Sequence, residues 1–190
     1  ETGVKISDNN EMAVNESEII IVALKPYNIL EVLKELSSLF VPSKHVLVSL
    51  ATGISLAQIQ DMVNVEVPIF RAMPNTAADV AMSMTCISSN SEDNEATEAV
   101  KYCFNSVGNT LIIDEGLMDS ATVLGACGIA YVLRFIRGMI QGGVQIGFDA
   151  KTASEIVTQT VKGAAQLLIE GGEHPEFEID KVTTPKGCTI

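Results

Sequence analysis

Three short apolar runs constrain this chain more than anything else in it: Ile19-Ile20-Ile21-Val22-Ala23-Leu24, Val46-Leu47-Val48-Ser49-Leu50-Ala51 and Val67-Pro68-Ile69-Phe70-Arg71-Ala72-Met73. Runs this short, rich in β-branched residues and without polar alternation, suit strands covered on both faces, as in a parallel sheet. Between the first two, Ile29, Leu30, Val32, Leu33, Leu36 and Leu39 recur at helical spacing. Between the second and third, Ser55 stands where a cap belongs, ahead of a short helix reaching Met62. Strand, helix, strand, helix, strand is the rhythm of a doubly wound α/β sheet. Such sheets bind ligands beyond the carboxyl ends of their strands, where strand order reverses.

The flanks extend this plan. Val4-Lys5-Ile6 reads as an extended piece and Asp8-Asn9-Asn10 as a turn, with Asn10 expected to cap a helix over Glu11 to Asn15. Downstream come a strand-like stretch from Ala81 to Ser88, an acidic helix from Glu92 to Asn105 and a strand from Asn109 to Ile113. The cluster Glu92-Asp93-Asn94-Glu95 suits a helix start, where the dipole favours negative charge, better than a metal site.

Composition changes near Asp114. From Gly116 to Glu170 the pattern is helical, with Gly125, Gly128, Gly138, Gly142, Gly143 and Gly163 inside or between helices. Glycine costs roughly 1 kcal/mol in a helix interior, so this frequency predicts close helix–helix approach. Tyr131, Val132, Phe135, Ile136, Met139 and Ile140 form an apolar face that Val144 and Ile146 extend. A second helix is expected to be capped by Asp149 and ended by Gly171-Gly172, and a last one to run from Glu176 to Val182. The predicted domains are therefore 1–114 and 115–190. The second has more apolar small-residue surface than so few helices cover, which calls for another copy of the chain or for packing on the first domain.

Charge narrows the partners. With 24 acidic against 12 basic residues the net charge is −12. Such a surface repels nucleic acid and anionic membranes but leaves room for a nucleotide cofactor held by local N–H groups. No apolar run is expected to span a bilayer. Cys86, Cys103, Cys127 and Cys188 lack metal or redox spacing, and His45 and His174 are the only histidines, so free thiols in a reducing cytoplasm are expected. His174, before Pro175, reads as a loop or helix-end residue. The chain begins without Met, at Glu1-Thr2-Gly3-Val4, and reads as a fragment of a longer protein.

Unusual residues follow each of the three strands: Ala23-Leu24-Lys25-Pro26, Ala51-Thr52-Gly53 and Arg71-Ala72-Met73-Pro74-Asn75-Thr76. Any one alone also suits an ordinary helix-start loop. The chain ends in Val182-Thr183-Thr184-Pro185-Lys186-Gly187-Cys188-Thr189-Ile190, small and hydroxylic residues around a proline and a glycine. In this order the motifs resemble those of pyrroline-5-carboxylate reductase, the enzyme of the last step of proline synthesis, across essentially the whole chain. Asp119 and Thr122 match that family's Asp-x-x-Thr.

The resemblance implies an α/β, Rossmann-like dinucleotide-binding sheet domain, incomplete at its N-terminus, followed by an all-α dimerisation domain. It implies NADP or NAD as cofactor, pyrroline-5-carboxylate as substrate, and a homodimer or larger homo-oligomer. Cofactor contacts carry over to Asn10, Ala23, Leu24, Lys25, Pro26, Ala51, Thr52, Gly53 and Asn75. Lys25 equally suits a strand-end cap, and Asn75 a brace of its own turn. Substrate contacts carry over to Thr184, Gly187, Cys188 and Thr189, with the N–H groups of Gly187 to Thr189 and the Thr184 hydroxyl holding the carboxylate. Thr189 is the expected hydrogen-bond donor to the imine nitrogen.

Three departures bear on that inheritance. Lys186 stands where the family usually has Gly, Ala or Asn, and is expected to point to solvent. Gly125-Ala126-Cys127-Gly128-Ile129-Ala130 replaces Ser-Gly-Ser-Gly-Pro-Ala, losing the hydroxyls and the proline suited to a first helical position. The Gly-x-Gly-x-x-Gly loop, its strand and the next strand are expected to precede Glu1, so this chain alone is expected to bind the cofactor poorly. Two other classes compete: a β-hydroxyacid dehydrogenase-like enzyme and a non-catalytic helical dimer scaffold. The first calls for a Lys near Tyr131, where the chain has Arg134 and Arg137; the retained strand-end motifs argue against the second.

Overall fold

The computed structural model describes residues 3–187. The chain divides by compactness after Ile129. Residues 115–126 fall with the sheet because α5 (Met118–Ala121) and the turn after it lie against β4 (Ser83–Ser89). The break in composition at Asp114 therefore precedes the break in packing.

The first unit opens with α1 (Asn10–Asn15), followed by β1 (Ile19–Val22), α2 (Pro26–Leu36), β2 (Val46–Ser49), α3 (Leu56–Val63) and β3 (Ile69–Met73). β4, α4 (Asn94–Asn105) and β5 (Gly108–Ile112) complete the sheet, and α5 follows. Alternate residues of β2 and β3 serve different cores. Leu47 and Ile69 join Ile29, Leu33, Ile59 and Val63 on the α2 and α3 side. Val48, Phe70, Ala72 and Ile87 join Ala96, Val100 and Phe104 on the α4 side. A sheet covered on both faces needs apolar residues in both registers, which the β-branched runs supply.

The sheet is not wholly parallel. Its order is β1-β2-β3-β4-β5, without the reversal expected from a doubly wound plan among the described residues. β1, β2 and β3 run parallel, β4 runs against β3, and β5 runs with β4. β1 forms one edge among the described strands and leaves Ile21 45% exposed, so this run is not buried on both faces as expected. Asn9, not Asn10, caps α1: its Oδ1 accepts from the N–H groups of Glu11 (2.8 Å) and Met12 (3.3 Å). α3 opens with the reciprocal pair expected of Ser55, the Ser55 hydroxyl accepting from Gln58 N–H while the Gln58 side chain accepts from Ser55 N–H.

The second unit holds most of α6 (Gly128–Gln145), then α7 (Ala150–Gly171) and α8 (Pro175–Val182). Asp149 caps α7, Gly172 ends it in a left-handed conformation, and His174 caps α8. Close helix–helix approach is confined to Gly143, where an added Cβ lies 3.1 Å from that of Ala153; at Gly125, Gly128, Gly138, Gly142 and Gly163 it meets open space. The apolar face on α6 is present but uncovered: Tyr131, Leu133 and Phe135 are exposed, and none of the described residues of α6 is buried. Glu115–Gln145 is long and apolar enough to cross a bilayer by length and composition, contrary to expectation.

Candidate active site

The parallel run of β1, β2 and β3 places their carboxyl ends side by side, gathering Ala23 to Pro26, Ala51 to Gly53 and Asn75 along one rim. Pro26 opens α2 at a position where its missing N–H costs nothing. Lys25 occupies the cap position in extended conformation, makes no side-chain capping bond and is exposed. Ala51 is buried, its N–H donating to Ser49 Oγ at 3.2 Å. Thr52 and Gly53 are exposed in the turn that follows. Gly53 has φ +75°, which glycine adopts without strain, and open space beside it. Asn10, Ala23 and Leu24 line one cavity of about 280 Å³ under the β1 edge. Lys25, Pro26, Ala51, Thr52, Gly53 and Asn75 are not part of that cavity's lining. The groups that would hold a pyrophosphate lie outside this set.

Asn75 is fixed on three sides. Its N–H donates to Ser83 Oγ at 3.0 Å, its Oδ1 accepts from Ala77 N–H at 3.0 Å, and its Nδ2 donates to the Gly125 carbonyl at 3.3 Å. Ser83 is buried and lies 3.4 Å from the Thr85 hydroxyl. Gly108 backs it: a Cβ there would fall 2.0 Å from the Ser83 carbonyl oxygen, so only glycine fits.

A second fixed group is signalled in the sequence itself. Arg71 is a lone charge in an apolar strand, is 5% exposed, and requires a counter-ion. Glu115 supplies it at 3.1 Å, and the same Oε1 accepts from Leu56 N–H at 2.6 Å, at the start of α3. Asp119, of the Asp-x-x-Thr match, lies 4.0 Å from the same guanidinium. Strand registry sets Arg71 between Ser49 and Ser88, a buried polar row across three strands. Thr122 donates to the Met118 carbonyl at 2.9 Å. Burial raises the Cys86 thiol above its usual range, which makes it a poor nucleophile.

On the substrate side, Thr184-Pro185-Lys186-Gly187 closes a turn in which Gly187 N–H donates to the Thr184 carbonyl at 2.8 Å. That N–H is already bonded, so it is not free to hold a carboxylate as expected. A Cβ at Gly187 would lie 2.7 Å from Thr184 Oγ1, so the turn requires glycine. Lys186 is exposed with φ +63°, a conformation that Gly or Asn adopts more readily. The expected roles of Cys188 and Thr189 lie outside the described residues.

Residues 115–190 match the family described as pyrroline-5-carboxylate reductase dimerisation, and residues 1–53 the family described as NADP oxidoreductase, coenzyme F420-dependent. Pyrroline-5-carboxylate reductase 1 of Dictyostelium discoideum is 40% identical over 99% of this chain, which spans 36% of that relative. Pyrroline-5-carboxylate reductase 2 of the same organism is 38% identical over 100% of the chain, which spans 68% of it. A Plasmodium falciparum pyrroline carboxylate reductase solved with NADP bound superposes with a TM-score of 0.88 at 30% identity, covering 96% of this chain and 70% of that one. The chain belongs to the pyrroline-5-carboxylate reductase family.

Proposed function

We propose that the protein of which this chain is part reduces 1-pyrroline-5-carboxylate to L-proline with NADPH or NADH. The observation that carries this reading is the breadth of the likeness: 38% identity to a named reductase over 100% of the chain, both functional ends included. The imine carbon takes a hydride, which the reduced nicotinamide supplies when bound, and the imine nitrogen takes a proton, giving the secondary amine.

This chain's residues bind and orient. Ala23 to Pro26 and Ala51 to Gly53 present backbone toward the ribose and nicotinamide, with Asn10 on the cavity wall. The Thr184–Gly187 turn delivers the following residues, whose N–H groups hold the substrate carboxylate together with the Thr184 hydroxyl. Thr189 donates a hydrogen bond to the imine nitrogen; a threonine hydroxyl is too weak an acid to be expected to lose its proton outright. Functionally the division falls at Asp114, with cofactor residues in 1–114 and substrate and pairing residues in 115–190. Free thiols at Cys86, Cys103 and Cys127 support a cytoplasmic location.

The test is oxidation of NADPH and NADH, separately, by the full-length protein with pyrroline-5-carboxylate. Turnover with one or both is expected. A folded, cofactor-binding protein that turns over neither overturns the reading. Thr189→Ala is expected to lower kcat with cofactor affinity unchanged; unaltered kcat would remove Thr189 from its assigned role.

A further inference from the structure

We propose that Asn75 is a positioning residue that couples the loop after β3 to the start of α6, by donating its side-chain N–H to the Gly125 carbonyl. Under the reductase reading the loop after β3 lies on the nicotinamide side, and the start of α6 belongs to the 115–190 half that carries the proposed substrate residues.

Both residues belong to the same compact unit, so the bond is internal to it. Asn75 follows β3 directly after Pro74, and Gly125 lies in a widened turn, Thr122–Ala126. There Cys127 N–H reaches back five residues to the Thr122 carbonyl at 2.9 Å. Such one-turn widenings disturb the regular helical ladder and cluster at functional sites. The bond to Asn75 comes to Gly125 from outside the helix. An asparagine amide offers two donors and two acceptor positions. Here one acceptor position caps the turn at Ala77 and one donor holds Gly125. The backbone end is held as well, by the buried Ser83 hydroxyl. A side chain fixed at its root, acceptor and donor transmits a shift of the β3 loop to Gly125 rather than absorbing it.

The residues around Gly125 make the link matter more. Gly125-Ala126-Cys127-Gly128-Ile129-Ala130 contains neither a side-chain hydroxyl nor a proline to stiffen this helix start. The amide of Asn75 is the side-chain bond, from outside the segment, that holds it.

Asn75→Asp separates the two jobs. The carboxylate still accepts from Ala77 N–H, but it has no donor for Gly125. In the full-length protein the expected result is an imine KM raised about tenfold or more, since small misplacements of a reacting partner are costly. The dissociation constant of the reduced cofactor, read by its fluorescence, should stay within about twofold. Amide hydrogen exchange in 126–130 should quicken. Ser83→Ala, which releases the Asn75 backbone, should move the same two readouts the same way by less.

A cofactor constant that rises while imine KM and exchange stay fixed would overturn the proposal, making Asn75 a cofactor ligand. A lowered melting temperature with KM and exchange unchanged would also overturn it, leaving a plain turn brace. Exchange does not depend on the reaction. If the wild type fails to reduce the imine yet Asn75→Asp quickens exchange at 126–130, the coupling stands and only the reductase reading falls.

Discussion

The two units of this chain handle apolar surface in opposite ways. In the sheet unit Ile29, Leu33, Leu47, Ile59, Ile69 and Phe70 are wholly buried, because strands with apolar residues in both registers are covered by helices on both faces. In the helical unit α6 buries none of its described residues, and α7 buries only Ala153 and Val157. Phe135 is 61% exposed on α6, where a soluble monomer seldom leaves a large aromatic within a continuous apolar stripe. The first unit carries its own core; the second presents half of one. The family that residues 115–190 match is described as a dimerisation family, and an uncovered apolar face of this kind suits pairing with a second copy.

The contrast breaks most visibly at Phe135. Phe135→Glu sets a charge in the uncovered stripe, and each copy loses about 2 kcal/mol of aromatic burial besides the cost of desolvating the carboxylate. Association should weaken on the order of 100-fold or more, with the sheet unit intact. Light scattering should show the mass fall; an unchanged mass would place the interface elsewhere.

Next is Glu115→Ala, which leaves Arg71 buried without its counter-ion and Leu56 N–H without its acceptor. About 3 kcal/mol of sheet-unit stability should be lost in urea unfolding. A loss below about 1 kcal/mol would mean that solvent replaces the carboxylate. Gly108→Ala drives a methyl into the Ser83 backbone at a left-handed φ and should cost about 2 kcal/mol. The accompanying rise in imine KM should resemble that of Ser83→Ala.

Acid sharpens the comparison further. Burial, and then the neighbouring Lys44, hold the His45 imidazole below its ordinary pKa. The unfolded chain therefore takes up the proton first, so the sheet unit is at full stability above about pH 6.5 and loses stability as pH falls below that. Asp149 loses its contribution in the same direction, but lower on the pH scale. Its bonds to Thr152 and Lys151 hold its carboxyl below the usual carboxylate range. Its contribution to α7 is intact above the ordinary carboxylate pKa and is lost as pH falls through the lowered value. Hydrogen exchange against pH should show the sheet unit loosening first, with the cap of α7 following several pH units lower and by the smallest amount. His45→Phe should remove the first limb.

Much of the sheet was legible because two-sided burial writes itself as short apolar runs, as in Val46–Ser49 and Ile69–Met73; Ile19–Val22 carries the same signal on an edge strand that leaves Ile21 exposed. The direction of β4 was legible too, but from a different signal. Only residues 74–82 separate β3 from β4, too few for the crossover that a parallel neighbour needs, so the chain must return antiparallel. The cap of α1 was misplaced by one residue because Asn9 and Asn10 are chemically identical, and only backbone conformation separates them. At the site, the open backbone at Gly53, with φ +75° and free space beside it, could be expected from residue type. The link from Asn75 to Gly125 could not, since it joins residues fifty positions apart. The partner of Arg71 was discoverable in kind but not in identity: a buried guanidinium demands a carboxylate, and several acidic residues lie downstream.

The uncovered stripe of α6 also makes concentration a variable of state. A unit whose core is completed by another copy gains stability by mass action, so its unfolding midpoint climbs as protein is added, while that of a self-sufficient unit stays put. Diluted far enough, one cooperative transition should separate into two, the helical unit melting early and the sheet unit at its own unchanging temperature. Under the proposed function, whose substrate residues follow α7, turnover should fall at dilutions where the sheet unit is still folded.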